Sequence, residues 1–316
     1  MKIRSVCILG GTGFIGHTLA AQLSSQQISV TVISRHRERH RDLLTLPTVR
    51  VITGDVYDFP LLKQEFAEVD CVINLVGILN QGRQRYQKFR AAHVQLAEIV
   101  IEACKSASVQ RLLQMSSLHV EEKSPSEYMR TKARAENLVH ATAGPVKVTS
   151  FRPSVIFGPR DSFLNRFSAL LDQVPLLFPL ACADSRLQPV YVEDVARCFV
   201  SALNDYRTFG RRYDLCGPRV YTLKEIVEYV ARLKRCSTRI VGLGPFASRL
   251  QAQVLQLVPG KPFSVDNYLS LQVDSVCSKP FPEVFGITPT PMEDIAPRYI
   301  TPDYSDGYST YRSRRY

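Results

Sequence analysis

With 316 residues, 45% of them hydrophobic and 22% charged, the chain has the balance of a globular protein with a large core, which excludes disorder as its overall state. A formal net charge of +11 suits polyanions, an anionic membrane surface or a phosphorylated cofactor without choosing among them. No nucleic-acid module accompanies that charge, so nucleic acid is not expected. The eight scattered cysteines without a C-x-x-C read as free thiols in a reducing compartment, and the six dispersed histidines give no metal-ligand spacing.

Met1 to Arg4 lead straight into an apolar run, leaving no room for a secretory signal, and no stretch of about eighteen apolar residues offers a membrane span. A cytoplasmic protein is expected, or one peripheral on the inner face of a membrane. Ile3, Val6, Ile8 and Leu9 form a strand that breaks into Gly10, Gly11, Thr12, Gly13, Phe14, Ile15 and Gly16. Gly11, Gly13 and Gly16 have the G-x-G-x-x-G spacing, in which missing side chains allow a tight turn and close backbone approach to a pyrophosphate. A helix from Phe14 to Gln26 would aim its free N–H groups at those phosphates.

The next strand, Ile28 to Ile33, ends at Ser34-Arg35-His36-Arg37 with no carboxylate at its tip. An NAD site normally places Asp or Glu about twenty residues past the glycines, whereas arginine suits a 2′-phosphate. NADP(H) is therefore expected over NAD(H), held by Arg35 first and Arg37 second; the alternative is a solvated basic helix start. Val49 to Thr53 makes a third strand leading to Gly54-Asp55-Val56, where Asp55 either receives the adenine amino group or caps a helix from Phe59 to Ala67. The fourth strand, Cys71 to Gly77, brings Val76 and Gly77 to the cofactor, followed by a loop from Ile78 to Arg85. A long helix from Tyr86 to Ser106 precedes a fifth strand, Arg111 to Leu118. Alternation of strands and helices predicts an α/β fold with a doubly wound parallel sheet.

Ligands in such folds bind beyond the carboxyl ends of the strands, where Tyr128-Met129-Arg130-Thr131-Lys132 stands. On a helix Tyr128 and Lys132 share a face, so the ammonium can lower the phenol's pKa. The pair can then move the proton of an alcohol while hydride passes to or from a nicotinamide.

Gly10 to Gly16, Asp55, Ser116-Ser117 and Tyr128 to Lys132 resemble the short-chain dehydrogenase/reductase superfamily in its extended, Rossmann-type form. Phe151 to Pro159 and Gln188 to Ala196 resemble its later segments. Arg160 to Phe167, Asp274-Ser275-Val276 and Phe285 to Thr290 resemble the atypical group that includes the nucleotide-binding accessory subunit of mitochondrial complex I. The resemblance implies a cofactor site that also takes in Ser116, Pro153 and Val155, with Ser117 beside Tyr128 and Lys132 in catalysis. Leu118 stands where extended enzymes usually carry a substrate-orienting hydroxyl, and His93 near where many carry an asparagine; His93 is read as a helix-packing residue. The resemblance also implies a member that binds NADPH as a structural part of an assembly.

Residues 1–160, with later sheet elements near 187–217, form the expected nucleotide domain, and 161–300 a smaller substrate or partner lobe. Two apolar patches lie in that lobe: Leu170 to Leu180, and Phe246, Leu250, Val254, Leu255, Leu257 and Val258. They read first as core, and otherwise as an apolar mouth or lipid contact flanked by Arg239, Arg249 and Lys261. A quinone or isoprenoid suits such surroundings better than a sugar nucleotide. Thr301 to Tyr316 reads as a mobile tail. Three functions stay open: an NADPH-dependent reductase acting on or near a quinone-related molecule, a non-catalytic nucleotide-bound subunit of a respiratory or quinone-synthesising complex, and a redox-sensing regulator.

Overall fold

A computed structural model describes residues 2–79, 85–174, 176–258 and 263–301. The proposed tail beyond Thr301, most of the loop after Leu79, and Lys261 lie outside the described residues.

The chain runs β1 (Ser5–Leu9), α1 (Phe14–Ser25), β2 (Ser29–Ser34), β3 (Val49–Thr53), α2 (Phe59–Phe66), β4 (Cys71–Asn74), α3 (Arg85–Arg90), α4 (Leu96–Ser106), β5 (Arg111–Met115), α5 (Glu127–Ala141) and β6 (Lys147–Pro153). It continues through β7 (Ile156–Phe157), α6 (Leu164–Gln173), β8 (Leu177–Leu180), β9 (Arg186–Leu187), β10 (Val190–Tyr191), α7 (Val192–Ala202) and β11 (Arg212–Leu215). β12 (Tyr221–Thr222), α8 (Leu223–Leu233), β13 (Arg239–Gly242), α9 (Pro245–Leu255), α10 (Val265–Ser270), α11 (Met292–Ile295) and α12 (Pro297–Ile300) follow.

Two compact units divide the described chain, the first comprising residues 1–153, 192–215 and 282–287. It holds a seven-stranded parallel sheet in the order β3-β2-β1-β4-β5-β6-β11. The strands are short, and the inner ones β1, β2, β4 and β5 are buried almost throughout, as a sheet covered by helices on either side requires, while the edge strands β3 and β11 are partly exposed. Cys7 and Leu9 of β1 join Val72, Leu112, Val148, Phe66, Leu96 and Val139 in one core layer. Val6 and Ile8 alternate toward the opposite face and are equally buried. Ser126 caps α5 by accepting from the Met129 N–H at 3.3 Å, and Asp58 caps α2 through the Leu61 N–H. The order of strands reverses between β1 and β4, so their carboxyl ends open a crevice at the switch point.

The long helix expected over Tyr86 to Ser106 is interrupted. Residues Ala91–Gln95 form a π-helical turn between α3 and α4, and the buried His93 sits in it. Such single-turn bulges are frequent at functional sites.

The second unit contains three two-stranded pairs, β7 with β10, β8 with β13 and β9 with β12. Here the expectation of eight free thiols fails, because Cys216 is disulfide-bonded to Cys277 across 61 residues, while six cysteines are free. Spacing along the chain could not reveal the pair; its segments meet through Gln188. The Gln188 amide donates to the Gly217 carbonyl at 2.7 Å and accepts from the Cys277 N–H at 3.0 Å. The expectation of core also fails for most of the second apolar patch. Leu171, Phe178 and Leu180 of the first patch are buried, but Leu176, Leu177, Phe246, Leu250, Val254, Leu257 and Val258 are exposed.

Candidate functional site

The glycine turn after β1 owes its shape to close approaches that side chains would forbid. Gly10 has φ +79° and lies against the backbone of Leu75 and Val76, where an added Cβ would stand 3.2 Å from main-chain atoms. At Gly16 a Cβ would meet the Gly10 oxygen at 2.4 Å, so only glycine lets α1 begin this close to the turn. A Cβ on Gly13 would meet little besides that oxygen, at 3.3 Å, which leaves its outer side open. Gly13 is the N-cap of α1 and provides no side-chain cap, so the first turn of the helix has donors for an anion. Thr12, Phe14 and Ile15 complete the partly exposed rim. These features fit a pyrophosphate.

At the tip of β2 the buried Ser34 accepts from the His36 N–H through its hydroxyl, and its carbonyl receives the Gly54 N–H from the end of β3. Arg35 and Arg37 are exposed. Burial raises the Tyr57 phenol pKa, Asp55 pushes it the same way and the Arg35 guanidinium pulls it down. In the loop after β3 Asp55 accepts from the Tyr57 N–H at 3.1 Å, and it is Asp58 that caps α2. Val56 lies half-buried beside Asp55.

Beyond β4, Asn74 holds the Val76 N–H at 3.1 Å, so the chain leaves the strand in a fixed direction toward Gly77. A Cβ on Gly77 would stand 3.1 Å from the Lys132 Nζ. Lys132 is buried, donates to the Met115 carbonyl at 3.1 Å, and has its pKa lowered to about 8 by burial, with Glu136 opposing. Tyr128, one turn earlier on α5, meets the His93 ring edge to face at 5.6 Å between centroids and Phe89 at 6.2 Å.

His93 occupies the centre of this cluster. Its Nδ1 lies 2.9 Å from the Thr131 hydroxyl, whose own hydrogen is directed to the Glu127 carbonyl at 2.8 Å or to that of Tyr128 at 3.1 Å. Nδ1 therefore carries the ring proton, and Nε2 accepts the Ile78 N–H at 3.4 Å. Burial, aided by the Lys132 charge, pushes the pKa of His93 down to about 2. A neutral imidazole thus links α5 to the backbone just past Gly77.

After β5, Ser116 is buried and donates its hydroxyl to Glu136 at 2.5 Å. Glu136, itself buried, also receives Arg152 at 2.7 Å and Arg212 at 2.7 Å. Ser117 is half-buried, whereas Leu118 is buried with its N–H on the Pro153 carbonyl at 3.0 Å. Pro153 ends β6 in the first unit, and Val155 belongs to the second.

The family model described as NAD dependent epimerase/dehydratase family matches residues 6–216, which is two thirds of the sequence. The chain belongs to that family. Among curated members, "NADH dehydrogenase [ubiquinone] 1 alpha subcomplex subunit 9, mitochondrial" of Arabidopsis thaliana is 32% identical over 85% of this chain and 68% of its own length. The mouse protein of the same name is 28% identical over 90% of this chain and 77% of its own. A Stigmatella aurantiaca protein named 4-hydroxy-2-methyl-3-oxo-4-farnesyl-3,4-dihydroquinoline-1-oxide ketoreductase is 29% identical over 49% of this chain and 51% of its own. Among solved structures, a UDP-glucose 4-epimerase from Thermotoga maritima superposes with TM-score 0.73 at 14% identity, covering 97% of this chain and 99% of its own, a likeness of fold.

In this member of the epimerase/dehydratase family the glycine turn, the β2 tip, Gly77, Tyr128 and Lys132 all belong to the sheet unit. Reading the sequence missed two contributors: the tether made by His93 and the buried Glu136. A carboxylate four residues past Lys132 was a usable signal for the second, since it falls on the same helical face. Nothing in the sequence marked the contact of His93 with Thr131.

Proposed function

We propose that the chain binds NADPH and acts as a reductase on a hydrophobic, quinone-related carbonyl compound, associated with a respiratory or quinone-synthesising assembly at the inner periphery of a membrane. The reading is carried by the buried ammonium of Lys132 next to Gly77, one helical turn from Tyr128. A reduced nicotinamide, when bound, supplies hydride. Tyr128 gives the proton to the forming alkoxide, and Lys132 stabilises the phenolate left behind. Ser117 orients the carbonyl oxygen. Gly11, Gly13 and the N-terminus of α1 hold the pyrophosphate, while Arg35, aided by Arg37, holds the 2′-phosphate. The names of the relatives support both parts: one is a ketoreductase of a farnesylated quinoline, others are subunits of NADH dehydrogenase.

A second reading, a nucleotide-bound subunit without turnover, is favoured by the buried Leu118 at the position of the usual orienting hydroxyl. Mass spectrometry of nucleotide released from the purified protein, with Arg35→Ala and Tyr128→Phe, tests both. NADPH should be recovered, and Arg35→Ala should weaken it by roughly ten- to a hundredfold while NADH changes little. Recovery of NAD alone, or equal losses, would remove the 2′-phosphate role. Tyr128→Phe should keep the nucleotide and lose hydride exchange; wild-type protein that binds NADPH and never exchanges hydride selects the second reading.

A further inference from the structure

Helix α9 is built inside out. It buries its small side chains, Ser248 and Ala252, and turns Phe246, Leu250 and Val254 outward, with Leu257 following just past its end. Phe246 is 84% exposed and Leu257 81%. These positions recur every three or four residues and form one stripe along the helix. The Ser248 hydroxyl receives the Cys182 N–H at 3.2 Å, and the Gln251 amide bonds Ala181 and Pro179. The helix therefore runs back along β8 toward Leu177 and Leu176, which are also exposed, the latter at 83%. Arg239 sits beside them, its N–H on the Leu176 carbonyl at 3.0 Å.

A soluble surface does not ordinarily show so many large apolar side chains together. The sequence through α9 itself carries charge of one sign. Between Glu228 and Asp266 the sequence contains no aspartate or glutamate, yet it contains Arg232, Lys234, Arg235, Arg239 and Arg249. Lys234 is paired with Asp172, whereas Arg239 and Arg249 are exposed next to the stripe. Apolar projections with Arg239 and Arg249 exposed beside them, and with the exposed Asp172 neutralised by Lys234, match a bilayer interface with anionic headgroups. Among the described residues no helix is long and apolar enough to cross a membrane, so the match is to the surface.

We propose that the outer face of α9, with Leu176, Leu177, Arg239 and Arg249, docks this protein on an anionic lipid surface. The inference deepens the peripheral placement proposed above and stands apart from the nucleotide reading. Flotation of the full chain tests it, using vesicles of phosphatidylcholine alone and of phosphatidylcholine with phosphatidylglycerol. The protein should float with the anionic vesicles and much less with the neutral ones, and added salt should weaken it. Phe246→Ser/Leu250→Ser/Leu257→Ser should lower partitioning on the order of a hundredfold while NADPH binding persists. Arg239→Gln/Arg249→Gln, which leaves the helix intact, should lower it roughly tenfold and flatten the salt dependence. The proposal is overturned if the wild type stays at the bottom with anionic vesicles, or if both variants float as it does. A dimer in sedimentation that the serine variant loses, without flotation, would assign the stripe to a second copy of the chain. Failure of flotation with NADPH still bound sinks only the docking surface.

Discussion

His93 illustrates how one side chain acquires a role from its neighbours. The Thr131 hydroxyl can donate once, and that donation goes to a helix carbonyl, so the imidazole must give its Nδ1 proton and keep a lone pair for the Ile78 N–H. The ring should remain neutral from pH 5 to 8. Nitrogen-15 NMR should show a protonated Nδ1 and no titration in that window; a ring titrating near its ordinary 6.5 would refute the assignment. The linked effect on stability has a definite sign. Because the unfolded chain binds the proton more readily, His93 favours the fold fully above pH 6.5, and that contribution is lost as pH falls toward 2. One proton corresponds to roughly 1.4 kcal/mol per pH unit, a slope that His93→Gln should remove from the acid limb.

At the scale of elements, α5 carries two different tasks on successive turns. Tyr128 and Lys132 face the proposed reaction site, and Glu136 ties the same helix to Ser116 after β5, to Arg152 on β6 and to Arg212 on β11. The carboxylate is buried, while the two guanidinium groups are about one third exposed, at 29% and 34%. Solvent therefore screens part of the interaction. Glu136→Gln should cost about 2–3 kcal/mol, read as a lower urea midpoint at unchanged slope. A loss below about 0.5 kcal/mol would mean that packing alone holds α5 to the sheet. The strand-turn-helix at Gly10 to Gly16 was legible beforehand because the positive φ of Gly10 and the contact of Gly16 with the Gly10 oxygen are local, although Gly10 also packs against the distant Leu75 and Val76. The contact of His93, in the π-helical turn at Ala91–Gln95, with Thr131 was not, since its partner lies 38 residues away.

For the molecule as a whole, the second unit is closed by the Cys216–Cys277 bond and by the Gln188 amide that joins the same segments. Reducing the bond, or replacing both cysteines by alanine, should lower stability by about 2–4 kcal/mol if closure of a loop this long is its main effect. Alkylation of the denatured chain under non-reducing conditions should label six thiols, and labelling of all eight would show that the pair is not joined.

The sequence alone determined the βα order, the glycine cradle, the absence of a carboxylate at the β2 tip and the Tyr128–Lys132 spacing, because each is set by residues close together in the chain. Only tertiary structure decided that Cys216 meets Cys277, that Ser116 gives its hydroxyl to Glu136, and that Phe246, Leu250, Val254 and Leu257 face outward instead of inward. Apolar periodicity tells which residues share a helical face, but not whether that face meets the core or the surroundings; that depends on which partner segment packs against it, and here the small side chains of Ser248 and Ala252 took the inner side.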